Sequence, residues 1–149
     1  MARRRTREEK YPDTKTFHFY NANPKNKITT DCVIRAISTA LEIPYNDVVM
    51  EMAELQCRTG LDPSEKKAID KFLQNHGWTK CKQPKKLDNT KYTGDEFCTS
   101  FIPSFCKHNK MNRIVAFIGT HHAVAIIDGV VWDTWNSTRG CIGNYWIEA

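Results

Sequence analysis

The chain has 149 residues, 40% of them hydrophobic and 26% charged, with 22 Lys and Arg against 17 Asp and Glu, a net charge of +5. That length suits one domain with a real core, and no apolar run is long enough to cross a membrane. The Arg-rich start lacks the apolar segment of a secretory signal, so the six cysteines read as reduced thiols of a cytoplasmic protein, and the modest positive charge reads as solubility rather than a nucleic-acid footprint.

Residues 1–15 are polar and basic and are expected to be a flexible arm; residues 16–149 are expected to form a single domain. Thr16 to Tyr20 alternates in the manner of a short strand, in which His18 reads as a partly buried structural residue. Residues 21–30, rich in Asn, Pro and Lys, form a loop. Val33, Ile34, Ile37, Ala40 and Leu41 then have helical spacing, and Thr30 or Asp31 can cap the first turn. Cys32 therefore stands at a helix N-terminus, where the helix dipole and free amides favour a thiolate and can hold an oxyanion. The alternative is a small residue buried at a tight helix start.

A second helix is predicted near Asp47 to Gln56, with Val48, Val49, Met52 and Leu55 on its apolar stripe. Asp62-Pro63-Ser64-Glu65 has the pattern of a third start, with a capping box and proline at the first helical position. That helix runs through Ala68, Ile69, Phe72 and Leu73 to a stop at Gly77. Trp78 to Lys82 reads as an edge strand and residues 83–93 as an exposed connector. Gly94 to Phe101 reads as a short helix ended by Pro103, Ile114 to Ile118 as a buried strand, and Asn144 to Ile147 as a final strand. Helices first and strands later predict an α+β fold, with N-terminal helices packed on a C-terminal antiparallel sheet.

Asp128-Gly129 between two apolar runs is a hairpin signal, because both central positions of a type I′ turn require positive φ. A two-residue turn pairs Ile127 with Val130, Ile126 with Val131 and Ala125 with Trp132. The same register places His122, Val124, Val131, Asp133 and Trp135 on one face. His122 and Asp133 become diagonal neighbours, a carboxylate able to hold an imidazole. A bulge or a longer turn would instead pair His121 with Asn136.

The order Cys32 at a helix start, His122 opening a strand and Asp133 on the next strand resembles the papain-like cysteine peptidases. His122-Ala123-Val124 resembles the His-Ala-Val that begins the family's catalytic-His strand, and Asp133-Thr134-Trp135 resembles its Asn-Ser-Trp, with Asp for Asn. Asp31-Cys32 resembles the nucleophile of the small bacterial or phage-encoded C39-like members. The resemblance implies a papain-like catalytic domain, a Cys32–His122–Asp133 triad, and Trp135 shielding the His–Asp bond. It implies an oxyanion donor six residues before Cys32, where the family has Gln and this chain has Asn26. His121 is then a rim residue or a core-facing one.

The implied function is a small thiol protease or isopeptidase acting on a protein or peptide, with no cofactor and no nucleic-acid or membrane partner. An acyltransferase or deamidase with the same triad, or a catalytically silent binder such as a phage-encoded inhibitor of a host factor, are the alternatives. Cys98, Cys106 and His108 with His121 or His122 are a rival zinc set, disfavoured because no Cys-x-x-Cys pair is present. Trp132 and Trp135 read as packing residues or as groove walls.

Overall fold

The computed structural model describes residues 2–105 and 111–149. The fold is mixed α+β. In chain order it consists of α1 (Arg7–Lys10), β1 (Phe17–Phe19), α2 (Cys32–Leu41), α3 (Tyr45–Thr59), α4 (Lys66–Asn75) and β2 (Trp78–Cys81). There follow α5 (Gly94–Glu96), a π turn at Phe97–Phe101, α6 (Ile102–Phe105), β3 (Arg113–Ile118), β4 (His122–Ile127), β5 (Val130–Asp133) and β6 (Ile142–Glu148).

One six-stranded sheet, in the order β1-β5-β4-β3-β6-β2, divides the interior in two. Side chains alternate faces along each strand, and the burial follows. Val115, Ala123, Ala125 and Trp146 join the side covered by α2, α3 and α4. Ile114, Ala116, Val124, Ile126 and Val131 join the side that holds Phe97, Cys98 and Ile102. The helices bury residues at helical spacing: Val48, Met52 and Leu55 on α3, and Ala68, Ile69, Phe72 and Leu73 on α4. Each such side chain contributes roughly 1.5–3 kcal/mol by leaving water. Trp146, fully buried, donates its Nε1–H to Asp70 Oδ1 at 2.9 Å, so its one polar atom is satisfied.

The hairpin has the predicted register: Ile127 pairs with Val130, Ile126 with Val131 and Ala125 with Trp132. Asp128 and Gly129 have φ of 49° and 75°, the two positive values that a type I′ turn demands.

Four expectations are corrected. The sheet is not wholly antiparallel, because β1 pairs with β5 in parallel. More than a hundred residues separate those strands, a connection long enough for the parallel crossover. Residues 1–15 are not a featureless arm: a capping box between Thr6 and Glu9 starts α1, and Arg7 Nε donates to Thr134 O at 2.6 Å. The cap of α4 is Glu65, not Asp62, whose carboxylate instead takes the Ser64 amide and hydroxyl at 2.8 and 2.5 Å. Pro103 does not end its helix. The π turn just before it widens the backbone, so a residue that lacks an N–H and crowds the preceding turn is accommodated inside α6.

Candidate active site

The start of α2, the start of β4 and the end of β5 meet at one end of the sheet. This follows from the hairpin: β4 and β5 are antiparallel, so the first residue of one lies near the last residue of the other. His122 is the first residue of β4, Asp133 the last of β5 and Cys32 the first of α2.

The three side chains converge there. His122 Nε2 lies 2.5 Å from Asp133 Oδ2. With that nitrogen occupied, Nδ1 is the one left to face the Cys32 thiol, whose ionisation His122 favours. Burial alone would discharge the imidazole, but Asp133 and Cys32 outweigh it, and the ring's pKa is pushed up to about 9. Burial would likewise raise the thiol. The His122 side chain, the Ala123 backbone amide and the nearby positive charge of Arg35 overcome it and lower the Cys32 pKa below its usual value.

Asp133 is 1% exposed and collects four donors. Besides His122 these are Arg35 Nη1 at 3.0 Å, the Thr134 amide at 2.7 Å and Ser137 Oγ at 3.3 Å. Trp135 is tilted against the imidazole, ring centroids 5.0 Å apart.

Arg35 is the residue that sequence reasoning missed. It is 8% exposed and bridges two carboxylates, with Nη1 on Asp133 Oδ1 and Nε on Asp31 Oδ1 at 2.8 Å. Asp31 is held further by Tyr45 Oη at 2.7 Å and Asn23 Nδ2 at 3.1 Å. Asp31 occupies the N-cap position of α2, yet makes no capping bond, because its carboxylate is spent on these partners. The first-turn amides of α2, that of Cys32 included, are thus without a side-chain cap beside the sulfur. The signal in the sequence was the Asp31/Arg35 spacing of four, which puts the pair on one helix face.

Above Cys32 and His122 lies a groove of about 910 Å³. Its walls come from the arm (Arg7), the loop before α2 (Ile28, Thr29, Thr30), the α4 start (Ser64, Lys66), Phe117, the β3–β4 turn (Gly119 to His121), Trp135 and β6 (Gly143, Asn144). No protein-family model, curated protein or solved structure matches this chain. The assignment of roles therefore rests on the geometry.

His121 is exposed on the groove rim, the first of the two places open to it. Trp132 and Trp135 divide: Trp132 packs against His18 and Tyr20 of the β1 segment, with centroids 4.6 and 5.2 Å away, whereas Trp135 lines the groove. Asn26 is not brought to the sulfur. It sits in a tight turn at φ 54°, its amide bonded to Asn23 O at 2.9 Å and its Oδ1 taking Asn21 Nδ2 at 3.4 Å, outside the groove lining. The loop folds on itself, also through Asn21 Nδ2 to Lys27 O at 3.0 Å, and carries Asn26 away.

For the rival zinc set, Cys106 and His108 lie outside the described residues. Cys98 is buried beside the hairpin turn, its carbonyl facing Gly129 at the opposite end of β4 from His122, and burial pushes its thiol up to about 12. Among the described residues no three potential metal ligands cluster, and no helix is long and apolar enough to cross a membrane.

Proposed function

We propose that this chain is a cysteine hydrolase of the papain-like kind, cleaving peptide, isopeptide or related amide bonds in a protein or peptide through an acyl-enzyme. The observation that carries the reading is His122 held by the Asp133 carboxylate and set beside the Cys32 thiol, at the floor of an open groove. A thiol next to a basic imidazole, itself oriented by a buried carboxylate, is an activated nucleophile.

The steps follow from proton positions. In the resting pair the Cys32 proton resides on His122 Nδ1, and Asp133 holds the imidazolium through Nε2. The thiolate attacks the carbonyl carbon, and the carbonyl electron pair moves to oxygen. That oxyanion meets the uncapped Cys32 amide and the positive end of the α2 dipole. His122 returns its proton to the departing nitrogen as the C–N bond breaks, leaving a thioester on Cys32. Water, deprotonated by the now neutral His122, attacks the thioester and expels the thiolate. No cofactor enters the sequence. A cytoplasmic setting, in which the thiol stays reduced, suits it.

The test is the pH dependence of Cys32 alkylation by iodoacetamide, read by peptide mass spectrometry against exposed Cys57 and Cys141. Cys32 should react faster than those two thiols, and its advantage should be largest at pH values below the free-thiol value of about 8.5. Turnover of a peptide anilide should fall above about pH 9, as His122 loses the proton it must donate to the departing nitrogen. Asp133→Asn should move that alkaline limb down toward the ordinary imidazole value of 6.5, and Cys32→Ser or His122→Ala should lower turnover on the order of 10⁴-fold. Labelling of Cys32 at the same rate and with the same pH profile as Cys57 sinks the hydrolase reading and leaves the silent binder.

A further inference from the structure

Of the charged residues lining the groove, every one is basic. Arg7, Arg35 and Lys66 face it together with His121 and His122, and among the described residues no carboxylate lines it. Arg35 is neutralised by Asp31 and Asp133. Arg7 and Lys66 are not. Arg7 spends its Nε on Thr134 O at 2.6 Å and packs over the Tyr11 ring. Lys66 Nζ donates to the neutral Asn144 Oδ1 at 2.6 Å and lies over the Phe117 ring. Neither forms an ion pair with a described residue, and their sequence neighbours Glu8 and Glu65 do not line the groove. Both head groups are held in place by uncharged partners, which fixes their position and leaves their charge unanswered.

Sheet order then decides where they stand. Arg7 is tied to the residue after β5, and Lys66 lies against Phe117 of β3 and Asn144 of β6. In the sequence β5-β4-β3-β6 the strand carrying His122 falls between them. The two unpaired cations therefore flank the reacting thiol on opposite sides.

We infer that the groove takes an acidic peptide, with Asp or Glu side chains placed on both sides of the amide presented to Cys32, and that Arg7 and Lys66 are its specificity-determining residues. The inference deepens the hydrolase reading and borrows from it only Cys32 as the reacting atom. Trp135 and Phe117 give such a chain apolar surface between the charges.

The experiment uses the full chain and two methanethiosulfonates of equal reach, one bearing a sulfonate and one a trimethylammonium. Each reacts with a thiolate to give a mixed disulfide and methanesulfinate. The ratio of their rates at Cys32, divided by the same ratio at exposed Cys57, should favour the anion. At separations near 6 Å in water each cation speeds the anionic probe and slows the cationic one by about threefold each, so the double variant Arg7→Gln/Lys66→Gln should lower the normalised ratio on the order of a hundredfold. The preference should shrink between 0.01 M and 1 M salt, as the Debye length falls from about 30 Å to about 3 Å.

In the second arm, a short Glu-rich peptide should slow iodoacetamide at Cys32 in the native protein and fail to do so in the double variant; a Lys-rich peptide should do neither. A normalised ratio that is unchanged in the double variant overturns the inference. So does protection by a single-stranded oligonucleotide with none by the Glu-rich peptide, which reassigns the groove to phosphate. Failure of the hydrolase reading is separately visible, as an iodoacetamide rate at Cys32 no greater than at Cys57.

Discussion

At the scale of single residues, Arg35 holds the site in one piece. Its guanidinium reaches from α2 to the end of β5 and places the helix that carries Cys32 on the strand that ends in Asp133. Replacement by Met keeps the bulk and removes the fork. Asp31 then loses its cation and Asp133 keeps only His122, and the expected loss of stability is about 3–5 kcal/mol, read by urea unfolding. Arg35→Lys should recover only part of it, because an ammonium cannot serve both carboxylates in the planar geometry of Arg35. Cys32, His122 and Asp133 were legible in the sequence because local rules fix them: an Asp-Gly turn sets register, register sets the diagonal pair, and a helix start sets the cysteine. Arg35 was not legible as a site residue, since its role depends on how α2 is rotated against the sheet. Asn26 illustrates the opposite error. A spacing of six before the cysteine places a residue only if the intervening loop runs straight, and here a positive φ turns it aside.

At the scale of elements, the capping boxes show what a pattern can carry. Thr6 with Glu9 and Thr93 with Glu96 each satisfy two orphan amides reciprocally, and each starts a helix. Asp62 with Glu65 has the same spacing, but the Ser64 amide and hydroxyl claim the carboxylate first and the helix begins later. Side-chain competition of this kind is set by local geometry that spacing alone does not encode. The box at Thr93 also puts Gly94 against the sheet. A Cβ there would lie 2.6 Å from Ile118 Cδ1 and 3.1 Å from the Thr138 backbone, and Gly94 N donates to Gly140 O at 2.8 Å. The Ile118 methyl can turn away, but the Thr138 main chain cannot. Gly94→Ala should therefore lose about 1–3 kcal/mol, checked by thermal denaturation. It should also loosen the 134–141 segment that carries Trp135, visible as faster amide exchange there.

At the scale of the molecule, one sheet serves two cores. Trp78 and Trp146 report on the side under α2 to α4, whereas Phe97 and Tyr145 lie on the other. Because β3, β4 and β6 each contribute to both, neither side can melt alone. Far-UV circular dichroism and tryptophan fluorescence should give coincident unfolding curves. The folded state binds the His122 proton more tightly than the unfolded chain does, so its contribution to stability is full below the ordinary value of 6.5 and is lost as the pH rises through about 9. The drop in midpoint over that window should be smaller in His122→Gln. The α+β layering was legible from the order of helical and alternating segments. The parallel β1–β5 edge was not, because pairing between segments so far apart leaves no local trace.

The strand order has one more effect, on when the site comes together. The two outermost strands, β1 and β2, come from the first part of the chain, and the four between them, β3 to β6, from the last. During synthesis the early strands have nothing to lie against, and Cys32 emerges long before His122 and Asp133. Until the ribosome has released residues beyond 133, the three side chains cannot meet, so the cluster forms only when nearly the whole chain has been made.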